Sequence, residues 1–360
     1  MPESYAVIMA GGVGERFWPL STSRHPKQLL NLFGGKPLIR STLDRIESLI
    51  PATHVFVVTR HDMVPAIREA LPEVPADQII GEPLGRNTAP ACAVGLACVK
   101  HRNPEAAFCV LTADHIIGDD ELFRQTLAES LVIAGHDEAL VTIGIVPTFP
   151  STGFGYIEAG DDVEHPGKLT FQRAQRFVEK PDDPTARSYL DARRYFWNSG
   201  MFIWSVRGLE NAFKQHQPEL AELASRIEPH VDSAGFDAQL QTEYKNVTPI
   251  SIDYAVMEKA ENIVMAKGEF SWSDVGSWPA LSEHFDADAD DNIIIGDCET
   301  IDAAGNVVVS EGRLTALIGV RDLVVIQADG ATLICPRAEA QAVKDMVTRL
   351  RESGDYEHLL

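Results

Sequence analysis

Hydrophobic residues follow two alternating rhythms over the first 150 positions. Short apolar, β-branched runs read as buried strands: "YAVIMAGG" (5–12), "HVFVVTR" (54–60), "QIIGEP" (78–83), "AAFCVLTAD" (106–114) and "EALVTIGIVP" (138–147). Between them, "PLIRSTLDRIESLI" (37–50), "APACAVGLACVKH" (89–101) and "ELFRQTLAESLVIAG" (121–135) read as helices, the first with its apolar residues at helical spacing. Strands that alternate with helices predict an α/β domain with a mostly parallel sheet covered on both faces. Ligands of such sheets sit beyond the carboxyl ends of the strands. The glycine turn after the first strand and the "TAD" ending a later one are therefore expected at one edge.

After residue 150 the rhythm changes. "GYIEAG", "RFVEKP" and "FWNSGMFIWS" read as short strands or loops, and helices return over 207–228 and 253–260. The acidic stretch "FDADADDN" (285–292) reads as a hinge. Beyond it, "NIIIGD", "NVVVSE", "TALIGV", "LVVIQA" and "ATLIC" recur at short, uneven intervals separated by Gly, Asp or Asn, the pattern of a small β-roll or short β-helix. A helix over 337–352 closes the chain. The expected domains are 1–285 and 286–360.

Composition narrows the class. The 360 residues are 45% hydrophobic and 23% charged, the balance of a soluble enzyme. No apolar run approaches the roughly 20 residues that span a bilayer. The N-terminus reaches a strand-like segment without a basic, then apolar, leader, so no secretory signal is expected. Five cysteines without a C-x-x-C pair lie in apolar surroundings and read as buried thiols of a reducing cytoplasm. Eleven histidines form no H-E-x-x-H or H-x-H pattern, which argues against zinc. With 53 Asp+Glu against 31 Lys+Arg, net charge −22, the chain is no nucleic-acid scaffold.

Against that acidity stands "AGGVGERFWPLSTSRHPKQ" (10–28), with three glycines, two arginines, a histidine and a lysine. A dinucleotide fold needs a third glycine where Arg16 stands, and no Walker A loop is present. Gly11, Gly12 and Gly14 would let backbone N–H groups approach phosphate oxygens, Arg16 would add a forked donor, and Lys27 a point charge. The turn is prepared for a polyphosphate without choosing among the families that bind one.

The whole string resembles the signature G-G-x-G-x-R-[LF]-W-P-L-S…P-K-Q of the sugar-nucleotide pyrophosphorylases. In order along the chain, "GEPLGRNTAPA" (81–91), "LTADH" (111–115), "FVEKP" (177–181), "WNSGMF" (197–202) and "SDVGSW" (273–278) resemble further motifs of that family, and specifically of its bacterial guanylyltransferases acting on mannose 1-phosphate. Phe17 and Thr22 depart from the commoner Leu and Arg.

The resemblance implies a Rossmann-like nucleotidyltransferase fold of GT-A type, with a left-handed β-helix-like C-terminal domain and a terminal helix. It implies transfer of GMP from GTP to α-D-mannose 1-phosphate, giving GDP-mannose and pyrophosphate with Mg²⁺. Arg16, Lys27 and Lys180 would be catalytic, and Gly11, Gly12, Gly14, Asn87 and Thr88 would bind the nucleotide. Gly153, Tyr156, Glu179 and Asn198 would bind the sugar, and Asp114 and Asp274 the metal. If extended, Glu179 and Lys180 would point to opposite faces. Asp253 and Glu258 are read as packing and capping residues, and Arg86 is open between surface and site. A cytoplasmic homodimer without nucleic-acid or membrane partner is expected. Long relatives add a cupin domain with phosphomannose isomerase activity, whereas 286–360 shows no metal-like histidine cluster, so none is expected here. Another sugar-1-phosphate nucleotidyltransferase, or a non-catalytic nucleotide-sensing homologue, is the alternative.

Overall fold

Strand and helix patterns resolve into two compact units in a computed structural model that describes residues 3–360. One unit holds the chain up to Gly11, Thr42–Ala113 and Ile117–Trp272; the other holds Gly12–Ser41, Asp114–Ile116 and Ser273–Leu360. The helix α1 (Leu38–Ile46) carries the chain from the second unit into the first.

The first unit is built on nine strands: β1 (Ser4–Ala10), β2 (Val55–Arg60), β3 (Ile79–Glu82), β4 (Ala107–Thr112), β6 (Leu140–Ile145), β7 (Tyr156–Asp162), β8 (Phe171–Val178), β9 (Tyr195–Ser205) and β10 (Ile263–Gly268). The two-residue strands β5 (Ile116–Ile117) and β11 (Trp272–Ser273) fall where the chain passes between units. The sheet order is β3-β2-β1-β4-β9-β6-β10-β8-β7. β3, β2, β1 and β4 are parallel, as the βαβ rhythm requires, and so are β6 and β10. The later part departs from a mostly parallel sheet: β9 runs antiparallel to β4, β6 and β7, and β8 antiparallel to β7 and β10. A short connection such as 163–170 between β7 and β8 permits only a hairpin, since a parallel return needs a long crossover.

Around the sheet lie α2 (Val64–Ala70), α3 (Thr88–Arg102), α4 (Asp120–Asp137), α5 (Asp183–Ala192), α6 (Val206–His216), α7 (Pro218–Ile227) and α8 (Phe236–Tyr244). Ala89 through Val99 of α3 are all buried, and Gly95 lets the helix close onto β1, where a Cβ would stand 2.8 Å from a Val7 methyl. The helical run over 207–228 is two helices because Pro218 lacks an N–H and starts the second. The expected helix at 253–260 is instead a π-helical turn, Asp253–Met257. Among the described residues no helix is long and apolar enough to cross a membrane.

In the second unit, β12 (Ile293–Ile301), β13 (Val307–Ile318) and β14 (Leu323–Ala328) stack in parallel, and β15 (Ala331–Pro336) returns antiparallel on β14. Ile293, Val307 and Val324 are aligned and buried, so successive coils stack like on like. Each of these strands follows a left-handed residue: Asp291 (φ 62°), Gly305 (φ 68°) and Asp322 (φ 52°). Asn292 and Asn306, both buried, form a ladder at this corner: Asn306 Nδ2 donates to Asn292 Oδ1 at 2.8 Å, and Leu323 N donates to Asn306 Oδ1 at 3.0 Å. The acidic stretch before it is folded tightly, with Asp288 accepting from the backbone N–H groups of Asp290 and Asn292 at 2.9 Å. The core of the unit joins Phe17, Trp18, Leu20 and Leu30 to Trp278, the stacked strands and Val343 and Val347 of α9 (Val343–Ser353). Cys92, Cys98 and Cys109 are buried as expected, but Cys298 and Cys335 on the outer coils are only half-buried.

Candidate active site

In the second unit the glycine turn leads into a 3₁₀ turn at Glu15–Phe17, and Pro26 starts another at Lys27–Leu29. Gly14 is left-handed (φ 74°), and a Cβ there would lie 2.4 Å from Lys27 Cβ, so only glycine lets the two turns close. Closure buries Lys27, whose side chain is 6% exposed. Its ammonium donates to Asp114 Oδ2 at 3.0 Å and to the Asp274 carbonyl at 2.5 Å.

Gly14, Arg16, Lys27, Asp114, Asp274 and Lys344 line one cavity of about 440 Å³ within this unit. Burial pushes the Asp114 carboxyl up, but Lys27 and His115 outweigh it and hold it below the usual carboxylate range. Asp274 is pushed up, by burial first and by the charge of Asp114, despite Lys27. Asp114 and Asp274 repel each other on this wall, and a dication held by both would relieve that repulsion. Among the described residues no three His, Cys, Asp or Glu side chains gather as a complete metal cage. Two oxygen donors suit Mg²⁺, which takes few protein ligands and draws the rest from phosphates and water. Arg16 is exposed on the cavity wall. Lys344, from α9, and His115 were not legible in sequence, since an exposed helix lysine and a histidine beside "TAD" carry no distinguishing pattern.

In the first unit Gly11 is exposed just past β1, and Ala113 N donates to Met9 O at 3.1 Å, so the carboxyl ends of β1 and β4 are adjacent. Gly12, in the second unit, is also exposed, with no atom within 4 Å of a Cβ position. Asn87 is exposed and left-handed (φ 68°), its Oδ1 accepting from Thr88 N at 2.8 Å at the start of α3. The Thr88 hydroxyl accepts from Ile252 N at 2.9 Å and so braces the 252 loop. Arg86 donates to the Lys245 carbonyl at 3.1 Å, which gives it a structural task. Unforeseen is Glu82, buried at the end of β3, whose Oε1 accepts from Tyr244 Oη at 2.7 Å. Burial pushes its carboxyl up to about 7, against the hydrogen bond from Tyr244.

The sugar candidates separate on inspection. Glu179 and Lys180 lie in a bend after β8, not in extended chain, and Lys180 is left-handed (φ 47°). Its ammonium therefore folds back onto Glu179 Oε1, correcting the expectation of opposite faces. Glu179 Oε2 is buried without a partner, on a side chain only 6% exposed. A Cβ on Gly155 would come within 2.5 Å of that oxygen, so the missing side chain leaves room beside it. Tyr156 does not face a ligand: it is fully buried, and its hydroxyl donates to the Ser151 carbonyl at 3.0 Å. Gly153 is exposed in that loop, its N–H donating to Ser151 Oγ at 3.2 Å. Asn198, half-buried on β9, donates to Asp253 Oδ1 at 2.9 Å.

Residues 5–291 match the family model described as nucleotidyl transferase. The chain belongs to the nucleotidyl transferase family, in its mannose-1-phosphate guanylyltransferase branch. Residues 296–350 match a second model, the MannoseP isomerase/GMP-like beta-helix domain, in agreement with the stacked coils. This nucleotidyl transferase is 38% identical to a mannose-1-phosphate guanylyltransferase from Salmonella montevideo, over 98% of this chain and 75% of that relative. It is 35% identical to one from Escherichia coli (strain K12), with the same two shares of 98% and 75%. Among solved structures, one described as a mannose-1-phosphate geranyltransferase from Thermus thermophilus matches with TM-score 0.85 and 36% identity, covering 97% of this chain and 99% of that one.

Proposed function

We propose that the chain transfers GMP from GTP to α-D-mannose 1-phosphate, giving GDP-mannose and pyrophosphate. The observation that carries this reading is the identity of 35–38%, over nearly the full chain, to mannose-1-phosphate guanylyltransferases. The cavity that seats Lys27 on the Asp114 carboxylate and the Asp274 carbonyl, with both carboxylates on its wall, supports it.

A phosphate oxygen of the sugar phosphate attacks the α-phosphorus of GTP in line. One P–O bond forms there as the bond to the bridging oxygen breaks and pyrophosphate leaves. A phosphate monoester, with its second pKa near 6, is already largely dianionic at pH 7, so no general base is needed. Positioning and charge neutralisation remain for the protein. Arg16 and Lys27 steady the triphosphate and the leaving pyrophosphate, while backbone N–H groups of Gly11, Gly12 and Gly14 approach its oxygens. Asp114 and Asp274 would hold Mg²⁺, which would supply Lewis-acid neutralisation of the phosphates. Lys180 leaves Glu179 to bind the sugar phosphate, Glu179 and Asn198 take sugar hydroxyls, and Asn87 and Thr88 flank the nucleotide. Gly153 keeps its loop open above the ring, while Tyr156 holds the loop from below. The enzyme is read as a cytoplasmic homodimer, which sedimentation of the purified protein tests.

Pyrophosphate release with Mg²⁺ decides the matter across GTP, ATP, UTP and dTTP, each with mannose 1-phosphate and glucose 1-phosphate. GTP with mannose 1-phosphate should dominate. A stronger signal elsewhere overturns the substrates, and silence from folded protein overturns the enzyme.

A further inference from the structure

The π-helical turn Asp253–Met257 is an unexplained irregularity beside the sugar candidates. Its i→i+5 bond runs from Glu258 N to Asp253 O at 2.9 Å. At 3.6 residues per turn, side chains five apart would point about 140° from each other. The wider turn brings Asp253 and Glu258 to bear on neighbouring groups instead, a use to which single π turns are often put. Asp253 Oδ1 accepts from Asn198 Nδ2 at 2.9 Å, and Glu258 Oε1 accepts from Glu179 N at 3.0 Å.

Both contacts add a hold on a sugar candidate. The orientation of the Asn198 amide is determined, because its Oδ1 takes the Gly200 N–H at 3.2 Å and the Thr142 hydroxyl at 3.3 Å. Only a donor can then face Asp253, and one N–H of the same nitrogen is left over. Glu258 in turn holds the backbone of the bend that presents Glu179 and the left-handed Lys180. The unpartnered Glu179 Oε2 lies beside Gly155, whose missing Cβ keeps clear the space next to it and to Asn198 Cβ, 3.3 Å from the would-be atom.

We propose that Asp253 and Glu258 are positioning residues of the sugar-phosphate pocket, Asp253 aiming the Asn198 amide and Glu258 the Glu179–Lys180 bend. Neither touches the reacting atoms. The proposal rests on the reading that Glu179, Lys180 and Asn198 receive a sugar phosphate. Losing Asp253 leaves the Asn198 amide held only by its two longer Oδ1 contacts, and losing Glu258 frees the bend. Each loss falls on sugar-phosphate binding and leaves the nucleotide untouched.

The test is steady-state kinetics of Asp253→Ala, Asp253→Asn, Glu258→Ala and Glu258→Gln, varying mannose 1-phosphate and GTP separately, with thermal melts alongside. Asparagine and glutamine keep an acceptor oxygen. The alanine variants should raise KM for mannose 1-phosphate about ten- to a hundredfold, the range for a lost charge-assisted hydrogen bond, with KM for GTP within about twofold. The amide variants should recover most of that loss. Equal changes in both KM values, no change in either, or alanine and amide variants that are equally impaired would overturn the positioning role. If an alanine variant does not fold, the amide variant decides: a sugar KM near wild type or raised alone is expected, and a GTP KM raised as far as the sugar KM refutes the proposal. Wild-type protein that makes no GDP-mannose instead refutes the functional reading, a result visible before any variant is compared.

Discussion

Replacing Lys27 by methionine keeps most of the buried volume while removing the ammonium that Asp114 and the Asp274 carbonyl share. Breaking a fully buried ion pair costs about 3–5 kcal/mol because the surviving charge is stranded. Asp114 is not stranded here, since its side chain is 37% exposed and water replaces the lost donor. The stability loss should therefore shrink to about 1–2 kcal/mol, nearer the value of partly solvated pairs. The catalytic loss should be larger. On the proposed mechanism the ammonium acts where charge develops on the leaving pyrophosphate, and removing one such donor costs about 10²–10³ in rate. Pyrophosphate release at saturating GTP and mannose 1-phosphate, with a denaturant melt of the same preparation, separates the two effects. A rate within about threefold of wild type would refute the assignment. So would a rate loss accounted for entirely by unfolded protein.

Gly14→Ala should depress activity almost as much as Lys27→Met, because its Cβ would sit 2.4 Å from Lys27 Cβ in a left-handed conformation; a near-normal rate would show the turns close otherwise. Asp114→Asn should raise the Mg²⁺ concentration for half-maximal rate steeply, measured by metal titration, since one of two carboxylate donors is lost. Glu82 has its carboxyl pushed from 4.5 up to about 7 by burial, so the stability it contributes is fully present below about pH 4.5 and lost as pH rises through 7. Glu82→Gln keeps an acceptor for Tyr244 and should flatten the decline in unfolding free energy between those pH values, by up to about 3 kcal/mol. Parallel stability–pH curves for variant and wild type would show that the carboxyl is not what titrates.

The strands β1 to β4 and the helix α3 were legible in the sequence because each buries both faces or lies wholly in the core, and continuous apolar runs record that locally. The glycine turn with its cations suggested a phosphate site, and the ordered motifs marked the family to which the chain belongs. Proximity was not legible. Lys27 and Asp114 are 87 positions apart, Glu82 and Tyr244 162, and nothing in the spacing of either pair joins them. Tyr156 looked like a ligand contact because a tyrosine in a glycine loop carries the same letters whether its hydroxyl meets a sugar or the Ser151 carbonyl. The opposite-face expectation for Glu179 and Lys180 assumed extended chain, and one left-handed φ at Lys180 reversed it. Asp253 and Glu258 looked like ordinary helix residues, whereas a single i→i+5 bond turned both toward the sugar candidates.

The sequence by itself determined which segments become strands or helices, and which cations crowd the turn after the first strand. Local patterning suffices for that, since burial and backbone preference act within a few residues. Tertiary structure alone decided that residues 12–41 share a core with the C-terminal coils, and which carboxylates are held by cations, left bare or pushed up in pKa. Those outcomes depend on desolvation and on partners brought together from distant parts of the chain.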